Sequence, residues 1–291
     1  REACAQADWD GVEIDWQRHP HHLPQFDAYR LRYTLTDLQR ALRQMADEIA
    51  AERGRPFHVA VRVATTLESC RRIGYDIPVW TRDGLCDIII GAGGSATDPG
   101  FEVTEFKRHT DGTNIRLYGG FDSTYRQQAD RLISYTEWRD RFFSATAASY
   151  LDQGGDGVYC FNWFPKKDDW GPLLRSMGSL ETLEGSDKLY SVLRRSPTYL
   201  EGTGPNAVND RIYGQTATVL MPTLTGDGPT FTISQHDDVV SRAADLTALQ
   251  LHIEIAHWAP EDEVAVSLDG NELGAPTIID VAEKDSAPPR V

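Results

Sequence analysis

Residues 9–16 read Trp-Asp-Gly-Val-Glu-Ile-Asp-Trp. Val12, Ile14 and Trp16 alternate with Glu13 and Asp15, and a period of two belongs to a β-strand with one apolar and one polar face. Two acids on one strand face discriminate between sheet architectures. In an open doubly wound sheet, helices cover both faces and strands read as nearly continuous apolar runs. In a (β/α)8 barrel one face meets the helices and the other meets the lumen, whose C-terminal rim carries the active site. The polar pattern recurs at His58 and Arg62, at Arg116, Tyr118 and Asp122, and at Asn162, and it gathers toward strand C-termini. The barrel is therefore the expected fold.

Working outward, four further strands are predicted: 57–63 (FHVAVRV), 86–90 (CDIII), 114–122 (NIRLYGGFD) and 157–164 (GVYCFNWF). Strand starts lie roughly 30 to 45 residues apart, enough for right-handed helical crossovers between parallel strands. Residues 17–33, rich in His, Pro and Arg, read as a loop. Thr34, with Asp37 three residues on, then caps a helix whose stripe is Leu35, Leu38, Leu42, Met45 and Ile49, and Gly54 ends it. A short helix runs from about Thr66 to Gly74, Asp98 and Pro99 look like a helix start, and Ser134 with Glu137 opens a helix to about Asp152, stopped by Gly154 and Gly155. Five strands are three short of eight, so an N-terminally incomplete barrel is expected over residues 1–200. Residues 172–192 are expected to hold one or two short helices. From residue 205 onward the pattern changes to short β runs separated by turns such as GDGP and DGN, predicting an antiparallel β-sandwich-like accessory domain to residue 291.

Composition narrows the function. The net charge of -15 opposes phosphate backbones, so nucleic acid is not an expected partner, and no apolar run reaches membrane-spanning length. Cys4, Cys70, Cys86 and Cys160 show no metal-ligand spacing and read as buried free thiols. The chain opens on Arg1 without a Met, consistent with a removed signal or with sequence lying upstream. A secreted or periplasmic location is expected if the substrate is a polysaccharide.

Residues 10–17, DGVEIDWQ, resemble the fourth-strand motif of family 18 chitinases, D-G-x-D-x-D-x-E. Asp10, Gly11 and Asp15 match. Glu13 stands where that family has Asp, and Gln17 stands where it has the catalytic Glu. Glutamine cannot protonate a leaving group, so the likeness implies a glycosidase-like barrel rather than chitinase activity. The larger arrangement is similar to barrel glycosidases of polysaccharide-degrading bacteria.

Glycoside hydrolysis uses two carboxyls flanking the scissile bond. Asp15, at a strand end, is the first candidate; Asp122 is the second; Glu13 lies one inward step deeper and orients or tunes Asp15. A purely structural alternative makes Glu13, Asp15 and Arg62 a lumen salt-bridge network. Arg18, His19, Arg62, Tyr118, Asn162 and Trp163 are the candidate substrate contacts, with Trp16, Tyr125 and Phe164 as further aromatics able to stack on sugar faces or to fill the core. The residues 91–95, GAGGS, read as a rim loop rather than a phosphate cradle, and neither a Walker nor a GxSxG pattern occurs. No cofactor or metal is expected. Two rival functions stand beside the hydrolase: a carbohydrate-binding, lectin-like barrel without catalysis, motivated by Gln17, and a metal-dependent barrel hydrolase, motivated by His19, His21 and His22.

Overall fold

The computed structural model describes residues 1–17, 22–93, 97–122, 135–164, 170–191, 233–253, 259, 261 and 263–279. Five parallel strands form one sheet: β1 (Gly11–Asp15), β2 (His58–Val63), β3 (Ile88–Gly91), β4 (Arg116–Asp122) and β5 (Gly157–Phe161). Their spatial order follows the chain, β1-β2-β3-β4-β5, with no reversal. A doubly wound sheet reverses at a switch point; this one winds in a single direction and curls into a half-barrel.

The register carries the curl. β2 begins pairing with β1 at His58 but with β3 at Ala60; β4 begins pairing with β3 at Arg116 but with β5 at Tyr118. Two such steps of two residues over four pairings amount to about one residue per strand, the stagger of an eight-stranded barrel of shear eight.

Helices cover the convex face. The short α1 (Glu2–Ala5) precedes β1, α2 (Ala28–Arg53) follows β1, α3 (Leu67–Ile73) and α4 (Ile77–Arg82) follow β2, α5 (Val103–Thr110) follows β3, and α6 (Tyr135–Asp152) follows β4. Val59, Val61, Val63, Ile89, Leu117 and Phe121 are buried from the strands, and Ile49, Cys70, Trp80, Phe106, Phe143 and Tyr150 from the helices. Each such side chain removed from water contributes roughly 1.5–3 kcal/mol. Two glycines of this face permit close approach: a Cβ on Gly91 would lie 2.2 Å from the Phe101 ring, and one on Gly119 would lie 1.9 Å from the Tyr150 ring.

Several expectations need correction. α2 starts at Ala28, and Thr34 lies inside it, because Arg32 and Tyr29 dock on the following helices through Asp76 and Arg71. Its buried face is Leu35, Thr36, Gln39, Ala46 and Ile49, while Leu38 is exposed. Two polar residues enter the core because each has a partner: Trp80 Nε1 donates to Thr36 Oγ1 at 3.0 Å, and Gln39 Nε2 donates to the Leu85 carbonyl at 3.0 Å. α4 had no counterpart in the reading. α5 starts at Val103 and not at Asp98, whose carboxylate is taken up by Thr65 Oγ1 and the Gly100 amide. By contrast, α3 is capped by Thr66 and closed by Gly74 as expected, with Gly74 at φ 94°.

After β5 come two short helices, α7 (Gly171–Ser176) and α8 (Leu180–Leu183). The domain boundary at 200–205 and the β runs at 211–221 lie outside the described residues. Within 233–279 the described β-structure is a hairpin of β6 (Ser267–Leu268) and β7 (Asn271–Glu272), turning at Asp269-Gly270 with both φ positive. Of the β run expected at 248–258 (ALQLHIEIAHW), residues 248–253 carry no strand and 254–258 lie outside the described residues. Among the described residues no helix is long and apolar enough to cross a membrane.

Candidate functional site

Strand alternation, together with the register, puts Gly11, Glu13 and Asp15 of β1, Ala60 and Arg62 of β2, Tyr118, Gly120 and Asp122 of β4, and Tyr159 and Phe161 of β5 on the concave, lumen face. The polar parity read from the sequence is thus the lumen parity on β1, β2 and β4; on β5 the lumen parity belongs to Tyr159 and Phe161, and Asn162 lies beyond the strand with the other parity.

Two contacts cross this face. Tyr159 Oη on β5 donates to Glu13 Oε1 on β1 at 3.0 Å. One level higher, the Arg62 guanidinium lies 4.5 Å over the Phe161 ring. First and fifth strands are opposite in an eight-stranded barrel, whose interior is just wide enough for side chains to fill; two side chains meeting head to head here match that width.

Arg62 organises the upper level. It is fully buried, Nη1 donates to both Asp15 oxygens at 2.9 and 3.0 Å, and Nη2 donates to the Gly93 carbonyl at 2.6 Å. The Gln17 backbone N–H also donates to Asp15 Oδ1, at 3.0 Å. Arg62 therefore acts behind Asp15 and ties it to the loop after β3, with no surface of its own for a substrate. Of the expected salt-bridge network, the Asp15–Arg62 pair forms.

Glu13 differs from Asp15. Crowding by the sheet pushes its pKa above the ordinary value, the Tyr159 hydrogen bond pulls it back, and the neighbouring Asp15 charge raises it again. The two acids, two residues apart on one strand, thus have different partners: Asp15 the Arg62 guanidinium, Glu13 the Tyr159 phenol.

Asp122 sits at the end of β4 beside Phe161, 2% exposed, with its backbone held by Thr97: the Asp122 amide donates to Thr97 Oγ1 at 3.0 Å, and that hydroxyl donates to the Asp122 carbonyl at 3.1 Å. Tyr118 lies on the lumen face, half-buried, against Gly157. Asn162 follows β5 in a left-handed conformation, φ 59°. Trp163 packs with Phe143 and Trp170, ring centroids 5.3 and 4.3 Å away, in the aromatic layer on the helix side of the sheet. Trp16 is likewise core, against Tyr75 and Trp80. Phe164 is exposed. Arg18, His19, His21 and Tyr125 lie outside the described residues. His22 turns to the Trp16 carbonyl, and among the described residues no three metal-ligating side chains stand together.

Tyr159 and Phe161 were missed in the sequence. Their signal was present, since they share the parity of Gly157 in GVYCF, but their aromatic character reads equally well as core. The Gly93 carbonyl carried no signal at all.

Fold and site together define a parallel β/α half-barrel with an acidic, partly solvent-accessible lumen face organised by one buried arginine. No protein-family model matches the chain, and no curated protein is similar to it.

Proposed function

We propose that this lumen face hydrolyses glycosidic bonds of a poly- or oligosaccharide, with Glu13 as general acid and Asp15 as the ionised partner that activates water. The observation that carries the reading is the contrast between the two carboxyls: both oxygens of Asp15 are paired with a buried guanidinium, while Glu13 is pushed toward its protonated form. A general acid must hold its proton at the working pH, which a raised pKa favours. Side chains two residues apart on a strand are about 6.6 Å apart, close to the separation of about 6.5–9.5 Å used by inverting enzymes. Asp122, deeper and clamped by Thr97, supports the rim in this reading, and Tyr118 lines the cleft.

The test is sugar release from a panel of labelled oligosaccharides by the wild type and by Glu13→Gln. Release lost in the variant, at an unchanged melting temperature, supports the assignment. Wild-type release by the variant removes Glu13 from the mechanism. A carbohydrate-binding barrel without turnover is the second reading, favoured by Gln17, which is fully buried with both amide atoms lacking a partner among the described residues at the place where the resembling motif has its acid. Calorimetric binding of the same oligosaccharides without release would select it.

A further inference from the structure

The geometry points to Tyr159 as the positioning residue for Glu13, holding from the opposite strand the carboxyl that the proposed hydrolysis uses as its acid. This rests on the functional reading above but makes a physical claim that can be tested without it.

Glu13 and Tyr159 are 146 positions apart and belong to the first and last strands of the sheet. Among the described residues, the hydrogen bond that each of these two side chains makes is to the other and not to the strand beside it. Only the curl brings the phenol to the carboxyl, 3.0 Å away. A glutamate on an accessible face has several free torsions; a single strong acceptor–donor contact selects one arrangement of them. The same strand supplies a second support two residues on, where Phe161 underlies the Arg62 guanidinium that grips Asp15. Tyr159 and Phe161 on β5 thus face Glu13 and, through Arg62, Asp15 on β1: one strand carries the acids and the opposite strand sets their positions. Phe161 acts on Asp15 only through the arginine, whereas Tyr159 touches Glu13 directly. It is therefore Tyr159 whose loss has a distinct signature.

The charged and titratable groups acting on this pair are Asp15, which raises both members, and Arg62, which lowers both. The phenol donates to the ionised carboxyl, so it favours the charged form of Glu13. Removing only the hydroxyl must then raise the Glu13 titration midpoint. An acid catalyst works while protonated, so the alkaline limb of sugar release must move to higher pH along with it.

The experiment is Tyr159→Phe, which keeps the ring and deletes the donor. Carboxyl resonances of glutamate-labelled full-length chain are followed through a pH titration, with Glu13→Gln identifying the Glu13 signal, and sugar release is recorded across the same pH range. The expected result is an upward shift of the Glu13 midpoint with an unchanged melting temperature, and an alkaline limb displaced by the same amount. An unmoved Glu13 midpoint overturns the positioning role. A raised midpoint combined with release that Glu13→Gln does not affect upholds the Tyr159–Glu13 pair and refutes the catalytic reading instead. If Tyr159→Phe melts at lower temperature and the midpoint stays in place, Tyr159 is a packing residue and the inference fails.

Discussion

At the scale of the residue, Arg62 is the most constrained side chain of the site. Its charge is fully buried, and among the described residues Asp15, with both oxygens, is the carboxylate that bonds it directly. Breaking a buried ion pair from one side is costly because the remaining charge stays desolvated. Asp15→Asn is therefore expected to destabilise the chain by about 3 kcal/mol, read as a lowered urea midpoint, and Asp15→Asn combined with Arg62→Met should recover part of that loss. Equal midpoints for Asp15→Asn and wild type would mean that the pair does not hold the site. The substitution that most directly probes chemistry thus also perturbs the fold, and Glu13→Gln, at an acid paired with a neutral phenol rather than with a buried charge, is the cleaner functional test. The sequence made the Asp15–Arg62 pairing foreseeable, because both residues share a lumen parity. It ranked Asp15 first and Asp122 second by their places at strand ends, but it could not foresee the partners that other strands bring to Glu13 and Asp15. Cys4, Cys70 and Cys86 are buried free thiols as expected, while Cys160 is free but only partly buried; burial pushes Cys86 up to about 12 and Cys160 to about 11, so neither is a ready nucleophile at neutral pH.

At the scale of the element, the sheet is set by small residues under large ones. Gly119 on β4 lies beneath Tyr150 of α6, and any side chain there must displace a fully buried ring. Gly119→Ala is expected to cost about 2–3 kcal/mol by overpacking, measured as a drop in the denaturation midpoint, whereas Gly112→Ala, at a glycine whose absent Cβ would meet open space, provides the contrast; its cost comes from a positive φ of 78° alone. Equal losses would locate the effect in backbone strain rather than in packing. Strands were legible because their alternation is local, and α6 was found from its flanking signals. α4 and the early start of α2 were not, because their buried positions are chosen by partners: Thr36 and Gln39 look like surface residues until Trp80 and the Leu85 carbonyl are placed beside them.

At the scale of the whole molecule, the N-terminal end of the sheet is stapled by Asp156. It accepts from the Leu117 amide at 2.9 Å and from Arg116 Nη1 at 3.1 Å, with Lys107 at 3.8 Å. Burial raises its pKa, but the amide and the two cations outweigh it, leaving it below the ordinary 3.8. A carboxyl depressed in the folded state contributes stability that is full above 3.8 and is lost as pH falls through the lower folded value. Melting temperature should thus fall with acidification below about pH 4, less steeply in Asp156→Asn than in wild type; parallel curves would show that the staple carries no pH-linked stability. Glu13 acts with the opposite sign. Its raised pKa adds stability at low pH that is lost as pH rises through the folded value.

The sequence alone determined that strands alternate with helices, that β1, β2 and β4 each have a polar face, and that acids occupy that face on β1 and at the end of β4. All of this follows from periods of two and 3.6 residues, which are properties of neighbouring positions. The tertiary structure decided which acid meets which partner. Arg62 reaches Asp15 across 47 positions and Tyr159 reaches Glu13 across 146. It also withdrew Trp16 and Trp163 into the core and set Tyr159 and Phe161 in the lumen. The reason is curvature: the stagger of the strands bends the sheet, and only a bent sheet brings its first and last strands face to face.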